Sequence, residues 1–169
     1  MRNRRLQKAV ALGLCGALLG LAACQSPADS GSESVAEVYL AAKRYQDAAR
    51  EAEHAIRRDP RDPHMRRVAA EAHAGLGNLD RAIEHLEVAL DLVPGDAEVS
   101  ILLGEMEQRR ENLSDAYVAF RRATKLAPDE IRAWSGLALS AEALGFTEEA
   151  AKAYERWAEL EQQQEDFTP

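Results

Sequence analysis

The stretch GNLDRAIEHLEVALDLVP, residues 77–94, carries the pattern that decides the fold. Its apolar residues recur at steps of three and four from Ala82 to Val93, which is typical of one face of an α-helix. Gly77 precedes this pattern, and a glycine readily adopts the positive φ at which helices end. Pro94 follows it, and the residue before a proline is disfavoured in the helical region. The stretch therefore predicts an amphipathic helix bounded by two breaks.

The same features return along the chain every 34 residues. Prolines hold this spacing at Pro60, Pro94 and Pro128. Small residues hold it in two further columns: Ala48, Ala82, Ala116 and Ala150, and Ala36, Ala70, Gly104 and Ala138. Two helix axes approach most closely where the side chains at their contact are small. The columns therefore predict a series of helix pairs that cross at small residues.

This spacing resembles the tetratricopeptide repeat (TPR) family. The resemblance implies an all-α fold, a right-handed α-solenoid of about four TPR helix pairs. The expected repeat domain spans 34–164, with units at 29–62, 63–96, 97–130 and 131–164 and a frayed tail at 165–169. The sequence departs from the family at Lys43 and Glu111, where the family favours glycine, and at His73, where it favours tyrosine.

Residues 1–23 have the organisation of a signal peptide, in which a basic start precedes a short apolar run. The run from Ala9 to Ala23 is shorter than the about 20 apolar residues that a spanning helix needs. Leu21-Ala22-Ala23-Cys24 resembles the lipobox of bacterial lipoproteins. That resemblance implies cleavage before Cys24 and attachment of acyl chains, such as palmitate, to this cysteine. An ordinary cleaved signal with a free thiol at Cys24 is the alternative.

Residues 24–33 are expected to be the lipidated cysteine and a flexible linker, because they are rich in Ser, Gly and Pro. Two or more acyl chains anchor a protein stably, so the membrane is an expected partner through Cys24. Gln25 follows this cysteine, and resemblance to Gram-negative sorting signals then implies the outer membrane. We therefore expect a lipid-anchored protein at the periplasmic face.

The composition and the motifs argue against several function classes. A formal net charge of −8 disfavours nucleic acid as a partner, since phosphate binding needs clustered positive charge. There is no HExxH, G-x-S-x-G, Walker or dinucleotide-binding motif. Scattered structural roles are expected for His54, His64, His73 and His85, with His73 buried and hydrogen bonded. We expect no metal site, no cofactor and no enzymatic activity.

The family resemblance also implies a binding groove, because the first helices of successive repeats line a concave surface that holds peptides. The matching positions are Glu37, Leu40, Arg67, Val68, Glu71, Ile101, Leu102, Glu105, Ser135 and Leu139. The set lacks the Lys and Asn pattern with which some members clamp a C-terminal carboxylate. We expect an amphipathic ligand whose basic edge pairs with Glu37, Glu71 and Glu105. The alternative is that these residues merely cover the helix pairs.

Together these features predict an outer-membrane, lipid-anchored TPR scaffold that binds protein or peptide partners in the periplasm. Such a scaffold would assist pilus, secretin or envelope assembly. An adaptor for peptidoglycan-processing enzymes is one alternative. A structural homo-oligomer, which would bury Trp157 and Phe167 against a second copy, is another.

Overall fold

The computed structural model describes residues 34–166, a range that contains eight α-helices and no β-strand. The helices are α1 (Val35–Ala41), α2 (Tyr45–Arg58), α3 (Pro63–Gly75), α4 (Leu79–Leu92), α5 (Ala97–Arg109), α6 (Leu113–Leu126), α7 (Ile131–Ala143) and α8 (Thr147–Asp166). The predicted all-α helical repeat is confirmed. The signal peptide at 1–23, Cys24, the linker and Phe167 lie outside the described residues.

Each helix packs chiefly on the helices that precede and follow it in the chain, and α1 also contacts α3 as α5 contacts α7. The odd-numbered helices are therefore the first members of four pairs, and they share one side of the array. The last helix continues to Asp166, beyond the expected domain boundary at 164. Within the described range, no helix combines the length and the apolar character needed to cross a membrane.

The first helix of each pair begins with a side chain that caps its backbone. Ser34 and Glu37 form the predicted capping box, in which the Ser34 hydroxyl accepts from the Glu37 N–H at 3.3 Å and the Glu37 carboxylate accepts from the Ser34 N–H at 2.8 Å. Asp62 and Asp96 cap α3 and α5 in the same way, each accepting from a backbone N–H three residues on. These acidic caps also complement the positive end of the helix dipole.

The turn inside each pair uses a residue in the left-handed conformation. Gly77 and Gly145 have φ values of 79° and 80°. Lys43 and Glu111, the departures from the family pattern, occupy the equivalent positions with φ values of 57° and 65°. A side chain there costs on the order of 1–2 kcal/mol. The turn is thus set by the helices that it joins, and the glycine only lowers its cost.

The alanine column marks the helix crossings that the sequence predicts. Ala48, Ala82 and Ala116 are completely buried, and Ala150 is 5% exposed. Each begins the second helix of its pair, where a side chain larger than a methyl group would push the helices apart. The burial of this column is what the predicted close crossings require.

One large ring interrupts this small-residue packing. Phe120 on α6 is 1% exposed and lies against Gly104 on α5 and Gly136 on α7. A Cβ at Gly104 would stand 2.8 Å from ring atoms of Phe120, and a Cβ at Gly136 would overlap the ring. The two glycines therefore leave the space that the ring fills.

Gly136→Ala tests this packing. Alanine normally stabilises a helix interior by about 0.5–1 kcal/mol relative to glycine. Here the overlap with Phe120 should make the substitution destabilising instead, and we expect a loss of about 1–3 kcal/mol in the free energy of unfolding. Chemical denaturation measures it. Gly95→Ala, which meets no atom within 4 Å, is the matched control and should stay within about 0.5 kcal/mol. Equal or higher stability of the Gly136 variant would contradict the account.

Glu107 on α5 is a buried charge without full compensation. The residue is 5% exposed, and its Oε2 atom has no hydrogen-bond partner among the described residues. Burial raises the pKa of its carboxyl group. The folded state therefore disfavours the charged form that the unfolded state adopts freely.

Glu107→Gln should raise the stability of the fold, with a defined dependence on pH. Because the pKa is higher in the folded state, the ionised carboxylate lowers stability above the unfolded-state pKa and has no effect when both states are protonated. We expect a gain of about 1 kcal/mol near pH 7 that disappears below about pH 4. Thermal unfolding of both proteins across pH measures the difference. Glu155→Gln, at an exposed position of α8, is the control. A gain that is the same at both pH values would contradict the assignment.

Candidate functional site

A cavity of about 520 Å³ opens between the first helices α1, α3 and α5. Leu40, Tyr45, Leu102 and Met106 contribute apolar surface to its lining. Its polar groups come from Lys43, Glu71 and Arg109. The volume lies within the range of about 300–1,000 Å³ that is usual for binding pockets, and the mixture of apolar walls with few polar groups is also usual.

The structure places three of the predicted groove residues, Leu40, Glu71 and Leu102, in the lining of this cavity. It corrects two others. Val68 and Ile101 are each 1% exposed and belong to hydrophobic clusters with residues of the second helices. Their sides of α3 and α5 face the neighbouring helices, so neither side chain is available to a ligand.

Two further predicted positions, Ser135 and Leu139, lie on α7, outside the cavity lining. The Ser135 hydroxyl donates a hydrogen bond to the carbonyl of Arg132, at 3.2 Å, within its own helix. Leu139 is 47% exposed. Leu139 is therefore an accessible apolar residue on the first-helix side, outside the cavity lining.

The predicted acidic column is paired with side chains of the same chain. His64 Nε2 lies 2.9 Å from Glu37 Oε1, and Arg67 Nη1 donates to Glu71 Oε1 at 2.6 Å. Glu105 accepts from Arg132 at 2.8 Å. Each of the three carboxylates thus already has an arginine or histidine partner, with which the basic ligand expected from the sequence would have to compete.

Two of these pairs join successive first helices. Glu37 on α1 meets His64 on α3, and Glu105 on α5 meets Arg132 on α7, each pair being 27 residues apart. Arg132 also donates to Glu98 at 2.9 Å. Such partly exposed pairs contribute little to stability, with a median of about 0–1 kcal/mol. Their main effect is to fix the charge of the groove surface.

The titration behaviour of these groups follows from their contacts. Hydrogen bonds from the backbone N–H and the hydroxyl of Ser34, together with His64, lower the pKa of Glu37. Partial burial opposes the charge of Arg132, but the hydrogen bonds that it donates to Glu98 and Glu105 dominate and raise its pKa above the usual value. Both groups are therefore charged at neutral pH.

Lys43 and Arg109 give the cavity its net charge. Within residues 34–166, no carboxylate forms an ion pair with either side chain. Arg109 Nη2 donates to the carbonyl of Ala74 at 3.0 Å, which holds the guanidinium at the cavity wall. Glu71 is already paired with Arg67. The cavity therefore combines apolar walls with two uncompensated positive charges.

Sequence reasoning missed Tyr45, Met106 and Arg109 as cavity residues. The glycine at position 75 was one sequence signal for the place of Tyr45, because a Cβ at this position would overlap the tyrosine ring. The tyrosine of α2 can lie against the backbone of α3 only because Gly75 has no side chain. Arg109 gave no comparable signal, since its contact with Ala74 crosses 35 residues.

Two histidines that were expected to be scattered are neighbours in the fold. His73 is buried, as predicted, and its Nε2 lies 3.0 Å from Glu53 Oε1. The ring of His85 lies nearly parallel to that of His73, at 5.6 Å between centroids. The other two histidines, His54 and His64, are exposed.

Trp157, a proposed contact for a second copy, packs within its own chain. Its ring stacks on Tyr154 of the same helix, with 5.9 Å between centroids. It is only partly exposed. The described residues therefore provide Trp157 with an intramolecular partner.

Comparisons with known proteins agree with the helical-repeat architecture. The family model described as tetratricopeptide repeat matches residues 36–97 and 102–165. The PEX5-related protein of Homo sapiens is 35% identical over 81 residues, which are 48% of this chain and 13% of that protein. Its Mus musculus counterpart is 33% identical over 81 residues, 48% of this chain and 14% of that protein. The chain thus spans a small part of the length of these relatives.

Two solved structures have a similar fold. A crystal structure of MamA has a TM-score of 0.73 and 21% identity, covering 77% of this chain and 76% of that chain. The first TPR of Spaghetti (RPAP3), bound to the HSP90 peptide SRMEEVD, has a TM-score of 0.63 and 20% identity, covering 65% of this chain and 87% of that chain. With the two matched segments covering most of the described helices, the chain belongs to the tetratricopeptide repeat family.

Proposed function

We propose that this protein is a scaffold that binds a protein or peptide partner in the groove formed by its first helices, at the cavity between α1, α3 and α5. The observation that carries the proposal is the placement of Lys43 and Arg109, two uncompensated cations, beside the apolar walls of this cavity. Family membership supports it, because helical repeats generally present extended concave surfaces for binding.

The ligand that suits this cavity is an apolar segment that carries a carboxylate, either an acidic side chain or a chain terminus. Its apolar side chains would contact Leu102 and Tyr45, and its carboxylate would pair with Arg109. The basic-edged ligand expected from the sequence fits less well, since the groove carboxylates are already paired. The peptide bound to the RPAP3 repeat, SRMEEVD, is itself acidic.

Site-specific crosslinking in intact cells tests the groove. A photoreactive residue at position 102, in the cavity, should capture one dominant partner that mass spectrometry identifies. The same residue at position 118 on α6, where Val118 is 61% exposed, should not capture it. Adding Lys43→Glu and Arg109→Glu should reduce capture at position 102 by about tenfold or more, which corresponds to about 1.4 kcal/mol of binding free energy.

The matched control reverses two charges on the second helices, Arg57→Glu and Lys125→Glu, which are both exposed. This control has the same change in net charge and should keep the capture at position 102. If both double variants lose capture equally, net charge rather than the cavity determines binding. If neither loses it, the cavity is not the site.

The same proposal includes a membrane anchor at Cys24. Acyl chains on this cysteine would hold the repeats at the periplasmic face of the outer membrane, and confinement there raises the effective concentration for partners in the same layer. The support is the sequence pattern of residues 1–24. Assisting pilus, secretin or envelope assembly, and recruiting peptidoglycan-processing enzymes, are the roles compatible with that place.

Cys24→Ala should abolish metabolic labelling with a fatty acid and move the protein from the membrane fraction to the soluble fraction. The reason is that a chain with no acyl group loses about 0.8 kcal/mol of membrane affinity for each CH₂ that was buried. Fractionation with labelled palmitate measures both effects. Gln25→Ala is the control, and it should leave acylation intact. Membrane retention of an unlabelled Cys24 variant would overturn the anchor.

A further inference from the structure

Three side chains that could bind a metal converge from three consecutive helices. Glu53 lies on α2, His73 on α3 and His85 on α4. One donor atom from each side chain lies within 4.8 Å of the donor atoms of the other two. The cluster therefore bridges the first and second helix pairs, and packed helices rather than loops hold its members.

His73 directs one ring nitrogen at Glu53 inside this cluster. The residue is 4% exposed, and its Nδ1 atom is buried without a hydrogen-bond partner in the described range. Its other nitrogen, Nε2, lies 3.0 Å from the carboxylate of Glu53. In the neutral ring, the nitrogen that faces a carboxylate carries the proton, so the lone pair of Nδ1 has no donor. A metal shared with Glu53 would bind Nε2 in place of its proton, and the ring proton would then reside on Nδ1.

His85 brings a second imidazole to the cluster. Its ring is partly buried and its Nδ1 lies 3.5 Å from Arg66 Nη1, a long contact that leaves the nitrogen weakly engaged. Imidazole nitrogen is the commonest metal ligand that a protein side chain offers.

We propose that Glu53, His73 and His85 form a Zn²⁺-binding site with two imidazole ligands, one carboxylate ligand and a fourth position open to water. Imidazole nitrogens together with a carboxylate oxygen suit zinc and related transition metals, in contrast to Mg²⁺ or Ca²⁺, which prefer oxygen ligands alone. At Zn–ligand distances of about 2.0–2.2 Å the donors would stand about 3.3–3.6 Å apart. Glu53 and His73 already stand 3.0 Å apart, so it is the side chain of His85 that has to close in.

Two arginines contact the ligands of the proposed site. Arg81 lies 3.5 Å from the Glu53 carboxylate, and Arg66 approaches His85. Both contacts are long, and Arg81 is largely exposed, so it can turn towards solvent when an ion replaces it. Zinc would then tie α2, α3 and α4 together, and it would stabilise the folded chain in proportion to its occupancy.

The test measures zinc binding directly, on the full chain with Cys15 and Cys24 changed to serine so that no thiol competes. Competition with a chromophoric chelator should give a single tight equivalent of Zn²⁺. Glu53→Gln and His85→Ala should each weaken binding by at least about 10- to 100-fold. His54→Ala combined with His64→Ala removes the same class of side chain at exposed positions and should leave binding unchanged.

A second measurement separates binding at this site from unspecific binding. Zinc should raise the unfolding temperature of the parent and of the His54/His64 control by about 5 °C or more, but not that of the two cluster variants. Their circular dichroism without zinc shows whether they fold. X-ray absorption of the zinc complex should report two imidazole ligands. Binding that survives in both folded cluster variants, binding that is lost in the control, or no binding by the parent would each overturn the proposal.

Discussion

Contacts between helices at residues no larger than alanine are the constraint on which the rest of this structure depends. Ala48, Ala82 and Ala116 have no exposed surface, and each stands at the start of a second helix. Small side chains at a contact allow two helices to approach closely, and these small residues recur every 34 residues, so the helix pairs repeat regularly along the chain. That regular stacking brings α1, α3, α5 and α7 to one side of the array. The groove is therefore a consequence of the small-residue columns.

The same constraint explains where larger side chains are tolerated. Phe120 fills the space between α5 and α7 because Gly104 and Gly136 lack side chains, and Tyr45 lies against Gly75 for the same reason. In the second case the ring becomes part of the cavity lining. Glycines on the first helices thus make room for aromatic rings from the second helices, and one of these rings, Tyr45, lines the cavity.

Much of the fold could be predicted from the sequence because it is a local and periodic property. The helix pairs, the capping box at Ser34 and the turns at Gly77 and Gly145 follow from residue spacing and backbone preference. Lys43 and Glu111 show that the turn persists without glycine, since both adopt the same left-handed conformation. Backbone propensity therefore predicts where a turn forms at low free-energy cost, and the packing of the two helices decides where it forms.

The candidate site was less predictable, because its properties depend on contacts between repeats. Val68 and Ile101 occupy groove positions by spacing, but first helices are covered on two sides and only a narrow strip of each remains open. The pairing of Glu105 with Arg132 spans 27 residues, and local charge patterns on one helix cannot reveal it. The positive charge of the cavity emerged only when these pairs had been assigned. His73 likewise looked like a single core residue until α2 and α4 placed Glu53 and His85 beside it.

Binding of partners on the side formed by the first helices, at the cavity beside Arg109, can be measured by hydroxyl-radical footprinting of the native complex and of the isolated chain. We expect oxidation to fall on binding at Leu40, Tyr45 and Leu102 and to stay unchanged at Val118 and Leu126 on α6, which are exposed. Protection confined to α6, with the cavity residues oxidised equally in both samples, would contradict it.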